Sequence, residues 1–302
     1  MKVGIIGGAG GVGSAIAFFL ATRNLVEEIA VIDVKENLAT AHAMDLGQAI
    51  ADLSPALVSS GDLAALDGCD IVIAAASGAQ HNLLSANLKI LEPVAAALVR
   101  HCPAAVVITA SNPIDVLNYR LWEMTRLPAR QFVGFSRNDS LRFRIAIAAQ
   151  LKVPVPQVQA TVIGEHGPGM VPLFSSIQVG SRSVQLDAEQ RAAVGQYLRD
   201  YLTRYEALQA GRTACWTTAV NVTCMVESIV LATGDVQPVS AILHGEYGLS
   251  RVSLGVPVIL NRQGVSAIKV FPLAPDEAEA LAAAAARVRA VLDSCGEARA
   301  AN

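Results

Sequence analysis

The residues with the clearest chemical potential are one histidine, one aspartate and one arginine. Of the five histidines, His166 stands in Gly164-Glu165-His166-Gly167-Pro168-Gly169. Flanking glycines leave its ring little shielding and put it on a loop after an apolar run, which suits a proton donor better than a core histidine. Upstream, Asn138-Asp139-Ser140-Leu141-Arg142-Phe143-Arg144 sets Asp139 and Arg142 on one face if the segment opens a helix. Asp139 could then orient His166 and favour its protonated form, as carboxylate partners of imidazoles do. Arg142 could grip a carboxylate through two parallel hydrogen bonds. The same spacing also fits an N-cap aspartate beside a surface arginine, and spacing alone leaves both readings open.

A second cluster lies at the start of the chain. Gly8-Ala9-Gly10-Gly11-Val12-Gly13 satisfies G-x-G-x-x-G, and Gly7, Gly10 and Gly13 also recur at every third position. An apolar run precedes the glycines and a helical pattern follows. Asp33 comes 20 residues after Gly13, at the end of the next apolar run. Glycines let the backbone turn sharply and approach a pyrophosphate, whose charge sits on helix N-terminal N–H groups. Asp33 can accept hydrogen bonds from a ribose diol and would repel a 2′-phosphate, which favours NAD over NADP. A plain structural turn with a solvent-exposed aspartate is the bland alternative.

These residues need a scaffold, and the pattern of the first half supplies one. Short apolar runs at 3–7, 28–33, 70–75, 105–109 and 132–135 alternate with helical stretches. Continuous apolar strands separated by helices predict a parallel sheet covered on both faces. The second half reads differently. Strand-like runs at 158–163 and 174–179 are followed by a turn at 180–183 into 184–186. Helical patterns cover 187–208 and 213–233, and runs at 240–243, 251–260 and 267–270 form an antiparallel group. Pro275-Asp276 opens a last, Ala-rich helix. The expected fold is therefore α/β: a doubly wound parallel sheet of Rossmann type, followed by an α+β substrate domain. The change of character near 137–153 divides the chain into residues 1–140, which would bind the cofactor, and 141–302.

Composition narrows the function. The chain has 302 residues, 53% hydrophobic and 16% charged, enough apolar surface for a large core. A net charge of −3, from 23 basic and 26 acidic residues, points away from nucleic acid and anionic membranes. Mean hydropathy is high at +0.43. Yet no apolar stretch runs the ~18 residues of a spanning helix, so none is expected in a membrane. The glycine run interrupts the N-terminal apolar segment too early for an export signal. Cys69, Cys102, Cys215, Cys224 and Cys295 form no C-x-x-C pair. Reduced thiols in a cytoplasmic protein, with no metal, are expected.

Taken together these motifs resemble the malate and lactate dehydrogenases, nearer the malate-type branch in the glycine turn. The likeness runs along nearly the whole chain. It is carried by Gly7–Gly13, Asp33, Ala43-Met44-Asp45-Leu46, Ser111-Asn112-Pro113-Ile114-Asp115, Asp139 to Arg144, Gly164-Glu165-His166-Gly167 and Gly255-Val256-Pro257. The resemblance implies that His166 is the acid/base, Asp139 its partner and Arg142 the clamp on a substrate carboxylate. It implies NAD contacts from Gly7, Gly10, Gly11, Val12, Gly13, Asp33, Ser77, Gly78, Asn87, Ser111 and Asn112. Asn112 would also touch substrate, aimed by a cis bond to Pro113. Thr213 and Trp216 would lie on a helix lining the substrate pocket, although a tryptophan at helical spacing is more often core. Ala39, Ala43, Leu46 and Ile50 make a small-residue helix face. It would serve either a homodimer or homotetramer interface or packing on the chain's own sheet.

One segment departs from the family. Its members carry a long loop after the strand at 70–75, with one arginine that reads the substrate and another that polarises the reacting carbonyl. Here the segment is several residues shorter and reads Ala76-Ser77-Gly78-Ala79-Gln80-His81-Asn82, and no arginine occurs between Arg23 and Arg100. Losing one preorganised donor to a developing oxyanion costs on the order of 10²–10³ in rate. Gln80 and His81 are the candidates to replace it. The resemblance therefore implies an NAD-dependent dehydrogenase for an unusual 2-hydroxy/2-oxo acid. A malate or lactate enzyme of reduced efficiency, and an NAD-binding protein without hydride transfer, are the other readings.

Overall fold

A computed structural model describes residues 1–78, 83–211 and 213–300, with the side chains of all of these except 202 and 296–300. Six strands of the first half lie side by side: β1 (Lys2–Ile6), β2 (Glu28–Ile32), β3 (Leu57–Gly61), β4 (Ile71–Ala74), β5 (Val106–Thr109) and β6 (Phe132–Phe135). Their order is β3-β2-β1-β4-β5-β6 and every pairing is parallel. The helices between them are α1 (Gly11–Thr22), α2 (Glu36–Ala49), α3 (Leu83–His101) and α4 (Ile114–Thr125), with α5 (Arg137–Leu151) following β6. Every residue of β4, β5 and β6 is buried, which is why these strands read as unbroken apolar runs. β3 is the exception. It lies at the sheet edge, alternates exposed and partly buried positions and contains Ser59-Ser60, so it left no apolar run to read.

The second half begins with β7 (Val158–Gln159), β8 (Val162–Gly164), β9 (Met170–Pro172), β10 (Gln178–Val179) and β11 (Arg182–Ser183). It continues with α6 (Ala188–Ala207), α7 (Cys215–Leu231), β12 (Val236–His244), β13 (Ser250–Asn261), β14 (Gly264–Ile268) and α8 (Pro275–Ala300). The antiparallel group is present, but it is not a separate sheet. β12 pairs antiparallel with β6, setting Val239, Ser240 and Ala241 opposite Phe135, Gly134 and Val133. Beyond it come β13, β8 and β9, with β14 also on β13, so among the described residues eleven strands form one sheet. β7, β10 and β11 make a small second sheet.

Three local expectations need correction. The run at 158–163 is not one strand: Val158–Gln159 pairs in the small sheet and Val162–Gly164 in the large one. The run at 174–179 is not one strand: Phe174–Ser176 forms a 3-10 turn and only Gln178–Val179 pairs. The turn then takes just Gly180 and Ser181, because Val179 already pairs with Arg182. On α2, Ala39, Ala43 and Leu46 are buried, as is Ile50 just past its end, with Ala39 and Ala43 packed on Val31 of β2. That small-residue face serves the chain's own sheet. No helix among the described residues is long and apolar enough to cross a membrane.

Candidate active site

The order β3-β2-β1-β4 reverses direction between β1 and β4, and a crevice opens at the carboxyl ends of strands at such a point. The glycine turn sits there, between β1 and α1. Gly7 has φ +79°, and a Cβ on it would lie 2.5 Å from the main-chain nitrogen of Ala76, beyond β4. A Cβ on Gly13 would lie 2.2 Å from the carbonyl oxygen of Gly7. These contacts require glycine. At the start of α1, Gly10 supplies no side-chain cap and the first turn holds no acid. Its leading N–H groups therefore remain for an anion. Asp33, just past β2, accepts from the N–H of Ala9 at 3.1 Å and of Lys35 at 3.0 Å. A fixed carboxylate beside a helix start with free donors fits the ribose and pyrophosphate of a dinucleotide.

From this turn a line of contacts runs to the histidine. The hydroxyl of Ser111 donates to the carbonyls of Ala74 and Ala76 at 3.1 and 2.6 Å. Asn87 is 1% exposed; its Oδ1 accepts from Gly78 N–H at 2.7 Å and its Nδ2 donates to the Asn112 carbonyl at 2.6 Å. Ser111 and Asn87 thus hold the ends of the loops, while Asn112 is exposed and its bond to Pro113 is cis, as expected. Asp115, in the first turn of α4, follows. Its Oδ2 accepts from the main-chain N–H of His166 at 2.7 Å and its Oδ1 from Ser240 Oγ at 2.5 Å.

His166 itself lies past β8. Gly164 ends that strand with φ +88°, and Glu165 N–H returns to the Gly169 carbonyl at 3.2 Å, so the chain loops tightly around the ring. The Nδ1 of His166 is 2.6 Å from Oδ2 of Asp139. The other oxygen, Oδ1, accepts from Nη1 of Arg142 at 3.1 Å. One carboxylate, itself 5% exposed, thus bridges the imidazole and the guanidinium, each 15% exposed. α5 makes this possible by placing Asp139 in its first turn and Arg142 one turn on. Arg142 is further covered by the ring of Tyr201 on α6, 4.4 Å from guanidinium carbon to centroid, and its Nε is buried with no hydrogen-bond partner among the described residues.

Electrostatics fit a proton carrier. Burial works against a charged His166 and is the largest single influence. The charge of Asp139, its hydrogen bond and the charge of Asp115 together outweigh burial and the repulsion of Arg142, so the imidazole titrates above its ordinary range. Burial also pushes the Asp115 carboxyl up to about 6, against the opposing pull of Ser240 and the His166 N–H.

The structure thus brings together His166, Asp139 and Arg142, and it joins the glycine turn, Asp33, Gly78, Asn87, Ser111 and Asn112 through contacts at the carboxyl ends of β1, β2, β4 and β5, with Ser77 beside Gly78. Gln80 and His81 lie outside the described residues. Trp216 is not core: it is 61% exposed at the start of α7. The roles of Asp115 and Tyr201 were not read from the sequence. Asp115 stood inside a motif without a role, and the signal for Tyr201 was the four-residue spacing of Tyr197, Tyr201 and Tyr205.

Comparison with known proteins agrees with this geometry. Residues 1–134 match the family model for the lactate/malate dehydrogenase NAD binding domain, and residues 137–298 that for the alpha/beta C-terminal domain. A malate dehydrogenase of Halobacterium salinarum is 35% identical over 301 residues, covering 97% of this chain and 98% of that protein. An L-lactate dehydrogenase of Gloeobacter violaceus is 30% identical over 309 residues, covering 96% and 92%. Among solved structures, lactate dehydrogenase from Cryptosporidium parvum, complexed with lactic acid and NAD, superposes with a TM-score of 0.90 at 29% identity over 97% of each chain. Malate dehydrogenase from the same organism gives 0.92 at 27% identity, over 98% of this chain and 99% of that one. With both halves matched, and with the glycine turn and the Asp139–His166–Arg142 cluster present, this chain belongs to the lactate/malate dehydrogenase family.

Proposed function

We propose that this NAD-dependent dehydrogenase interconverts a 2-hydroxy acid and its 2-oxo acid, and that its preferred substrate carries a single carboxylate and an uncharged side chain. The observation that carries the chemistry is Asp139 shared between His166 and Arg142. Arg142 holds the substrate carboxylate through its guanidinium. Asp139 occupies Nδ1 of His166 and leaves Nε2 for the substrate oxygen. Protonated His166 gives its proton to that oxygen in reduction, and neutral His166 removes it in oxidation. Bound NAD supplies and accepts the hydride. Asn112, exposed at the crevice, orients the substrate carbonyl.

The restriction on the side chain comes from the segment after β4. From Ala75 to Leu88 it contains no lysine or arginine, so it offers no fixed cation for a second carboxylate. The polar residues of that segment, Gln80 and His81, are the candidates to donate to the carbonyl oxygen in its place. The test is NADH oxidation with oxaloacetate, pyruvate and bulkier monocarboxylic 2-oxo acids. The reading requires a monocarboxylate to be preferred by kcat/KM. Preference for oxaloacetate sinks the specificity claim, and NADH binding without turnover of any acid sinks the catalytic one.

We further assign NAD binding to residues 1–140 and substrate chemistry mainly to 141–302. Phe18, Leu38 and Met44 leave apolar surface exposed on α1 and α2, which supports a homodimer or homotetramer. Five free cysteines support a reducing, cytoplasmic setting. A monomer by sedimentation overturns the first of these, and an export signal ahead of this chain the second.

A further inference from the structure

Arg142 is held in an unusual way for a residue that must receive a carboxylate. Its Nη1 is tied to Asp139 at 3.1 Å, and its Nε is buried with no hydrogen-bond partner among the described residues. The flat face of the guanidinium is covered by Tyr201, with 4.4 Å from its carbon to the ring centroid. Tyr201 comes from another helix, α6, and does not stand alone there. Tyr197 lies one turn before it at 6.2 Å between centroids, and Tyr205 one turn after at 6.5 Å, stacked at an interplanar angle of 19°. α6 is itself fixed at its start by a reciprocal capping box between Asp187 and Gln190. A ladder of rings on a capped helix therefore presses one ring against the arginine.

The physical consequence concerns orientation. A guanidinium bonded through one nitrogen can still swing about that contact. An aromatic face stacked on it fixes its plane and leaves its edge for an incoming carboxylate. The demand is acute here, since the segment after β4 contributes no cation before Lys89. We propose that Tyr201 is a positioning residue for Arg142, setting the plane in which the guanidinium receives the substrate carboxylate. This rests on the clamp role given to Arg142 above. The required feature is the ring and not its hydroxyl.

The experiment compares the full-length protein with Tyr201→Phe and with two ringless variants, Tyr201→Leu and Tyr201→Gln, so that a folding failure in one leaves the other. The probe is oxamate, a carboxylate-bearing 2-oxo acid mimic, titrated into the NADH-loaded protein by quenching of NADH fluorescence. KM, kcat and the pH profile are measured with the best 2-oxo acid. The ringless variants should raise the oxamate Kd and KM by about 3- to 30-fold. Their kcat should stay within about threefold and the pH profile should not move. Tyr201→Phe should behave as the parent. Ringless variants with unchanged Kd and KM overturn the proposal alone, as does a loss in Tyr201→Phe equal to theirs, or a fall confined to kcat. A parent protein that binds NADH but neither binds oxamate nor reduces any 2-oxo acid overturns the clamp reading, and this proposal with it.

Discussion

The main-chain N–H of His166 donates to Oδ2 of Asp115 at 2.7 Å, so the loop presenting the imidazole is held by a fully enclosed carboxylate on a different element. Asp115 is fixed in turn by Ser240 of β12, which also contacts Ser253 of β13 at 2.7 Å. Asn118 of α4 joins the group by donating to Ser253 at 3.0 Å and accepting from Thr109 of β5 at 3.1 Å. Strands from both halves are thus linked, through Ser240, Ser253 and Asn118, to the carboxylate that holds the histidine loop. Burial raises the Asp115 carboxyl to about 6, above its ordinary value of 3.8, so the folded protein holds that proton more tightly than the unfolded chain. The resulting stabilisation is full below the unfolded value and lost as pH rises through about 6. Asp115→Asn should remove this dependence. The variant's stability relative to the parent should rise between pH 4 and 7 by up to about 3 kcal/mol, read from urea unfolding at each pH. A difference that does not change with pH would contradict the assignment.

The pH profile of turnover should follow His166. In the proposed mechanism reduction needs its protonated form, so kcat/KM for the 2-oxo acid should be level at low pH and fall as pH rises through a value above the ordinary imidazole range. Oxidation should show the opposite limb. In Asp139→Asn the charge and charged hydrogen bond that favour the imidazolium are gone, so the reduction limb should move to lower pH. Turnover near pH 8 should drop by on the order of 10²-fold or more. An unmoved limb would detach Asp139 from the proton chemistry.

Arg142→Lys keeps the charge but loses both the planar fork and the ring stack. KM for the 2-oxo acid should rise by roughly 10- to 100-fold, the value of a charge-assisted hydrogen bond. NADH affinity, measured by fluorescence, should stay the same. Equal losses for acid and cofactor would mean that the arginine supports the fold more than the substrate.

On the proposed reading, Asp33 sets cofactor choice through its charge. Asp33→Ser removes the repulsion toward a 2′-phosphate while leaving a short polar group near the N–H of Ala9. The ratio of NADH to NADPH affinity should fall by about tenfold or more, the effect of one nearby charge in a partly screened site. An unchanged ratio places discrimination elsewhere.

Gly13→Ala tests the turn itself. The new Cβ would meet the Gly7 carbonyl oxygen at 2.2 Å, a main-chain atom that cannot step aside. Destabilisation of about 1–3 kcal/mol is expected, with NADH binding weakened further because the first turn of α1 must shift. Thermal unfolding and NADH titration read the two effects separately.

How much of this was legible beforehand follows from how local each signal is. The glycine turn, Asp33 and the Asp139–Arg142 pair announce themselves within a few residues, because one turn or one helix face contains the whole relationship. The strands β1, β2, β4, β5 and β6 were readable because burial on both faces forces unbroken apolar runs. β3 was not, since an edge strand needs none. The bond from His166 to Asp115, and the ring of Tyr201 on Arg142, join elements far apart in sequence. Neither partner's neighbours encode that meeting. The same holds for the pairing of β12 with β6, which leaves no mark in either strand alone.

That pairing has a mechanical consequence. Backbone hydrogen bonds run without a break from β3 at one edge, across β6 and β12, to β9 at the other. Two plates joined by a flexible cord could swing open and shut around a bound molecule; these two halves share a single woven sheet and cannot. Rotating one half against the other would shear the β6–β12 ladder and pull Ser240 from Asp115 beneath the histidine. On the proposed reading, substrate and product pass over this continuous floor without its opening. The distance between the cofactor turn and the imidazole is accordingly set when the chain folds, not when it binds.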